Sequence, residues 1–320
     1  MKKSLKVRVK NNLTKDQSKA LKQDETIKVF PFDKGNGFAI LNSDDAIKKI
    51  EEQLGKAKVV DFDPTQKQAN KIKTILSKLR KEDKLTNKKF FELYPSDPIP
   101  PRMYGMLKAH KPGKNYPMRI VVSTIGTPSY AISKYLVDLI QPLLNENPHR
   151  VINSSEFAKE ASEWDIGTNE IQTSYDVVNL YPSIPIDKAL DVMTDLLAKN
   201  MDKIRKKSKL DLIDLRNLMD SCLKTCHFIW NRKIYVIENA GPIGLSLMVV
   251  MAEGYLQFLE KTAISQAMVE RIQPITYKRY VDDSHARFSD RNAPDRFLEI
   301  LNSQDPNTQY TMEIEDSNKI

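Results

Sequence analysis

Cysteine is nearly absent: Cys222 and Cys226 are the only two in 320 residues. They stand four apart in a stretch with helical apolar spacing, so both are expected to face the same way, and His227 follows directly. No second Cys/His pair stands at zinc-finger spacing. The expectation is two reduced core thiols in an intracellular protein. No apolar run approaches the roughly 18–20 residues of a membrane span, so no membrane partner is expected. The start, Met1-Lys2-Lys3-Ser4-Leu5-Lys6, is basic but has no apolar stretch behind it, which excludes a secretory signal. Repeats and low-complexity linkers are missing too.

What is present is a basic, foldable chain. Hydrophobic residues make up 40%, enough for a sizeable core, and 320 residues suffice for one large folded unit or two modest ones. The net charge of +8 and pI of about 9.1 favour an anionic partner, such as nucleic acid or an acidic surface.

Residues 1–25 form a basic extension. Thr26–Phe30 and Phe38–Leu41 read as strands joined by the turn Pro31-Phe32-Asp33-Lys34-Gly35-Asn36-Gly37. Ser43 is the expected N-cap of a helix that Gly55 closes. A second amphipathic helix follows Pro64, with a lysine-rich outer face. Residues 95–117 are rich in proline and lysine, with Pro98, Pro100, Pro101, Pro112 and Pro117 among six prolines, and read as an extended or looping stretch. Arg119–Ser123 is a buried strand, and a helix begins near Ser129. From Ile171 onward the pattern is strand, helix, helix, hairpin, helix, hairpin, helix, strand. In that region Lys203–Lys207 reads as a loop, and helices are expected from Asp187, from Ser208 to Thr225 and from Ser246 to Ser265. This order suits an α+β fold with an antiparallel sheet and helices packed on one face.

Within that pattern three acids stand out. Asp176 lies near the end of the strand Ile171–Val178, and Asp282 and Asp283 occupy a hairpin tip after Tyr280-Val281. Adjacent carboxylates repel, and a metal ion relieves that repulsion. Phosphoryl transfer from a nucleoside triphosphate needs little more from a protein than such a site. Two magnesium ions about 3.5–4 Å apart neutralise the phosphates and activate a hydroxyl, and carboxylates are the hard ligands they take. A glycine loop, Gly241-Pro242-Ile243-Gly244, precedes the apolar helix between the two acidic elements.

Ser174–Pro185, Gly241–Leu247 and Tyr280–Asp283 resemble, in order, motifs A, B and C of reverse transcriptases. Asp33-Lys34-Gly35-Asn36, Tyr104–Gly113 and Arg119–Ser123 with Gly126-Thr127-Pro128 resemble the fingers motifs of Penelope-like retroelements. The resemblance covers nearly the whole chain from about residue 25. It implies a right-hand polymerase with fingers at 26–170 and palm at 171–320, part of 200–240 packing with the fingers. The family's thumb is absent, as expected of a truncated or fragmentary copy.

The resemblance further implies that Asp176, Asp282 and Asp283 are catalytic and hold two Mg²⁺, with Mn²⁺ as a substitute and the Val177 carbonyl as a further ligand. Tyr181 would lie under the sugar and exclude a ribose 2′-hydroxyl. Arg119 would contact the incoming triphosphate, with Lys108 and Lys111 on triphosphate or template, and Gly244 would let the base pair approach. The implied partners are an RNA template, a DNA primer and dNTPs, and the implied compartment is the nucleus. Ile243 and Leu245-Ser246-Leu247-Met248 depart from the family's motif B, and His285 departs after the acidic tip. Two other readings stay open: an RNA-dependent RNA polymerase, and a catalytically inactive nucleic-acid-binding remnant of a retroelement.

Overall fold

Strand and helix positions follow the apolar spacing closely in the computed structural model, which describes residues 24–55, 57–237, 241 and 244–315. The basic extension up to residue 23, and Pro242 and Ile243 of the glycine loop, lie outside the described residues. The described chain divides into two units, 24–55 with 103–121, and 57–102 with 122–315.

The first unit opens with an antiparallel hairpin of β1 (Ile27–Pro31) and β2 (Phe38–Asn42), closed by a bond from the Phe32 amide to the Gly37 carbonyl. Helix α1 (Ser43–Leu54) follows and ends at Gly55, whose φ of +55° suits a residue without Cβ. Ser43 does not cap it. Asn42 holds the cap position, and the Ser43 hydroxyl instead donates to the Glu25 carbonyl, tying helix to hairpin.

The second unit begins with β3 (Lys58–Val60), α2 (Thr65–Lys81) and α3 (Asn87–Leu93). Of the stretch expected to loop, Arg102–Leu107 is strand β4 and Pro112–Lys114 a 3₁₀ turn, and from residue 103 to 121 the chain belongs to the first unit. The prolines flank β4 without interrupting it, so its amides stay free to pair. Strand β5 (Met118–Ser123) comes next. Helices α4 (Tyr130–Leu144) and α5 (Ser154–Ser162), strand β6 (Ile171–Val177), and helices α6 (Leu180–Ser183), α7 (Ile186–Lys199), α8 (Met201–Arg205) and α9 (Leu212–Leu223) continue the chain. The basic run expected to loop is thus helical as far as Arg205, because Ile204 is drawn into the core. Helix α9 starts later than its apolar spacing suggests. Asp211 and Asp214 form a reciprocal capping box there, while the Ser208 hydroxyl pairs with Tyr135.

Strands β7 (His227–Trp230) and β8 (Lys233–Val236) make the expected hairpin through Asn231 and Arg232, both at positive φ. Helix α10 (Ser246–Glu270) runs five residues past the expected end. Then come β9 (Thr276–Tyr280), β10 (Asp283–Phe288), α11 (Ala293–Gln304) and β11 (Tyr310–Ile314). No helix among the described residues is long and apolar enough to cross a membrane.

Four strands form an antiparallel sheet in the order β11-β6-β10-β9. Alternation sends Thr173, Tyr175 and Val177 of β6 and Ser284, Ala286 and Phe288 of β10 into the core. There Phe297 of α11 meets the rings of Tyr175 and Phe288, and α4, α7, α9 and α10 complete the apolar cluster. The other face is not bare, contrary to the expectation of helices on one side. Trp164 stacks on His285 at 5.5 Å, with Phe157 of α5 beside it. His285 is an aromatic partner there, which accounts for a ring in that place.

Both cysteines are buried and reduced. Cys222 lies on α9, and burial pushes its thiol up to about 12. Cys226 lies beyond the end of that helix, so the two do not share a helical face.

His227 gives the second unit a testable pH response. Its ring is buried, Nε2 lies 2.8 Å from the Thr65 hydroxyl, and Nδ1 has no partner among the described residues. Burial lowers its pKa from the ordinary 6.5, against a weaker upward pull from Asp63. A folded-state pKa below the unfolded one favours the neutral ring. The contribution is complete above about pH 6.5 and is lost as pH falls toward the folded value, at about 1.4 kcal/mol per unit of depression. The melting temperature should therefore drop between pH 7 and pH 5. In His227→Gln, which keeps a polar group near Thr65 but cannot titrate, the drop should be smaller in a thermal scan.

Candidate active site

Register decides how the three acids meet. Strands β6 and β10 pair so that Asp176 stands directly opposite Asp283, and Asp283 in turn opposes Tyr280 across the tip. Directly opposed residues of antiparallel strands have Cα atoms about 4.5–5.5 Å apart. The turn residue Asp282 is tied in as well, since its carbonyl accepts from the Val177 amide at 3.2 Å. Asp176 and Asp283 are exposed and Asp282 is half-buried. Residues 171–177 and 276–288 thus bring together three carboxylates that are 106 positions apart in sequence (Asp176 to Asp282).

The donor set suits a divalent cation. Like charges directly opposed across a ladder are unfavourable, and a cation of hard character reverses that sign. Among the described residues no three acidic, imidazole or thiol side chains close around one point. The backbone therefore brings the carboxylates to one tip, and sharing an ion would require their side chains to turn inward.

The other predicted residues of this unit lie on the segments that follow β6 and precede α10. Asn179 adopts a left-handed conformation, φ 51° and ψ 54°, and reverses the chain after β6 into the short α6. Tyr181 on α6 is half-buried and packs against the apolar cluster. Gly244, at φ +82°, abuts β5: a Cβ there would lie 1.9 Å from the Val122 carbonyl oxygen. Its own carbonyl accepts from the Thr124 hydroxyl at 3.1 Å. The close approach the structure contains at this glycine is therefore one of backbone to backbone within the unit.

Arg119, Lys108 and Lys111 belong to the first unit. The Arg119 guanidinium, half exposed, lies 3.1 Å through Nε from Oδ1 of Asp33, which is buried. Oδ2 of Asp33 has no hydrogen-bond partner among the described residues. Burial lowers the Lys108 pKa, and repulsion from Arg119 and Lys111 adds to the effect against the pull of Asp33. Asp33 thus anchors one edge of a cation cluster whose outer members face solvent, an arrangement suited to phosphate oxygens.

Sequence reasoning missed a group beneath the acidic tip. Arg279 on β9 is buried and bonds Glu253 and Glu260 of α10. The signal was there: two glutamates seven apart, and so on one face, of a helix rich in apolar residues, and an arginine in phase with the buried Tyr277. Burial pushes the Glu260 carboxyl up, against the pull of Arg279 and the Tyr277 hydroxyl. Burial acts to lower Arg279, but Glu260 and Glu253 outweigh it and hold it above the usual arginine value.

No family sequence profile and no curated protein sequence matches the chain. Solved structures do. Telomerase from Candida albicans, in complex with a TWJ fragment of telomeric RNA, superposes with a TM-score of 0.60 at 10% identity over 91% of this chain and 50% of that one. Apo telomerase from Candida tropicalis, truncated from its C-terminal domain, gives 0.58 at 8% identity over 91% and 60%. A structure named for an RNA-dependent RNA polymerase, vp4 and dsRNA gives 0.50 at 10% identity over 85% and 25%. The fold is one that reverse transcriptases and template-directed RNA polymerases share. The chain spans between a half and three-fifths of these two telomerase chains.

Proposed function

We propose that this chain is an RNA-directed DNA polymerase, with the four-stranded sheet as its palm and the first unit as part of its fingers. The observation that carries the reading is the register that sets Asp176 against Asp283, with Asp282 tied to Val177 beside them. Asp176, Asp282 and Asp283, with the Val177 carbonyl, would hold two Mg²⁺ or Mn²⁺, which when bound neutralise triphosphate charge and activate a primer hydroxyl. The chain's own part is to keep the carboxylates on a rigid sheet and to exclude the wrong sugar with Tyr181. The Asp33-anchored cations Arg119, Lys108 and Lys111 bind phosphates of dNTP or template. The fingers motifs support a Penelope-like retroelement origin, and with it work in the nucleus on an RNA template and a DNA primer.

The test is primer extension by the purified chain on an RNA template with Mg²⁺, comparing dNTPs with NTPs. Extension with dNTPs supports the reading. Preference for NTPs would make the chain an RNA polymerase. No extension, with template–primer binding that survives Asp282→Ala, would make it an inactive binding protein.

The sugar gate has its own check. Tyr181→Ala is expected to raise NTP use relative to dNTP use by about 10- to 100-fold, the range over which one hydroxyl is discriminated sterically. Tyr181→Phe should keep the wild-type ratio. An unchanged ratio in a still active Tyr181→Ala enzyme removes Tyr181 from that role.

A further inference from the structure

We propose that Arg279 is the positioning residue of the acidic tip, fixing the Val281 backbone and through it the aim of Asp282 and Asp283. The inference rests on the reading of these acids as a metal-holding site. Its starting point is a strained residue. Val281 has φ +59°, a left-handed conformation that a β-branched side chain strongly disfavours. It persists only if its surroundings hold it, and one contact does so directly: Nη1 of Arg279 donates to the Val281 carbonyl at 2.9 Å.

The same guanidinium is clamped from below. Nη1 and Nη2 donate to the two oxygens of Glu253 at 2.8 and 3.1 Å, and Nε donates to Glu260. Glu260 also accepts from the Tyr277 hydroxyl at 2.9 Å, and Glu253 accepts from Gln257. The Arg279 main chain is held as well. Its amide donates to the His149 carbonyl and its carbonyl accepts from Val151, both at 2.8 Å. Arg279 is 2% exposed. A buried charge held by two carboxylates needs nothing further for stability, yet a fourth donor bond is directed at the carbonyl of the one strained residue in the tip.

Arginine is required by this geometry. Four N–H directions in one plane are used, and lysine offers three donors from a single point. Arg279→Lys keeps the buried charge beside Glu253 and Glu260 but cannot also reach around to Val281. Helix α10 and the acidic tip are thereby joined through one side chain, and a shift of the helix at Glu253 would be felt at Asp282.

The test separates positioning from folding and from the metal reading. Amide hydrogen exchange at Val281–Asp283 is measured first, without metal. In Arg279→Lys it is expected to quicken by about tenfold while protection in α10 and β6 stays at wild-type levels. Mn²⁺ binding by calorimetry is measured next, with Asp282→Asn as the blank, and is expected to weaken by about tenfold. Adding Val281→Asn, which tolerates the left-handed region, should restore most of that affinity. Should Arg279→Lys fail to fold, Glu253→Gln, which loosens the clamp and leaves the guanidinium, is measured with the same expectations. Unchanged exchange at the tip overturns the proposal. Quickened exchange in a protein whose wild type shows no Asp282-dependent Mn²⁺ binding keeps the positioning role and overturns the metal reading instead.

Discussion

Asp282→Asn is expected to lower primer extension by at least about 10³-fold while leaving template–primer binding within about twofold. On the proposed reading Asp282 is an anionic ligand of the ions that neutralise triphosphate charge, its loss would remove several kcal/mol of transition-state stabilisation, and each 1.36 kcal/mol is tenfold in rate. Asparagine matches the shape of aspartate, so the tip keeps its backbone, including the bond from the Val177 amide to the residue 282 carbonyl. Stability should not fall. Asp176 and Asp283 already face one another across the ladder with Asp282 adjacent, and removing one of three like charges relieves repulsion. Asp176→Asn should reproduce the loss of extension, since it sits opposite the same tip. A melting temperature that holds or rises while extension collapses is the signature of a chemical role. If Asp282→Asn retains a tenth of the activity, these acids are not the site.

The strands that carry the acids were legible in the sequence because buried and exposed residue types alternate along them, and the short turn between β9 and β10 makes those two antiparallel neighbours. Their register was not. Which residue opposes Asp176 depends on where Tyr175 and Phe288 find room against Phe297, and that is a property of packing. Helix ends shifted for local reasons of the same kind. Asp211 with Asp214 outcompeted Ser208 as a cap, and Ile204 drew a basic run into helical conformation. The Arg279 network was hidden by chemistry that a hydropathy pattern penalises. An arginine and two glutamates read as surface residues one at a time, and only the fold shows them neutralising one another in the core. The first unit was the converse case. Asp33 and Arg119 were both within noticed motifs, 86 positions apart in sequence, and the structure adds that they are partners.

Gly244→Ala is the substitution with the largest expected structural effect. Glycine was noted there as a place for a base pair to approach, but the unit's own backbone already occupies the position of the missing Cβ. A methyl group would lie 1.9 Å from the Val122 carbonyl oxygen, and this atom belongs to a strand and not to a yielding side chain. The φ of +82° adds strain for any residue with a Cβ. Two mechanisms that each destabilise act at one atom, and a cost of about 3–5 kcal/mol is reasonable for that combination. For a unit of this size that is about 10 °C in melting temperature. The alternative to unfolding is that the loop lifts off β5, which breaks the bond from Thr124 to the Gly244 carbonyl and frees the start of α10 at Ser246. Hydrogen exchange separates the two outcomes: general loss of protection in the first, loss confined to 241–247 and β5 in the second. Thr124→Val, which deletes the hydroxyl without adding bulk at the glycine, should cost only about 1 kcal/mol. If Gly244→Ala melts with the wild type and keeps protection throughout, the contact between Gly244 and Val122 does not hold this loop, and the glycine has to be explained by what binds from outside.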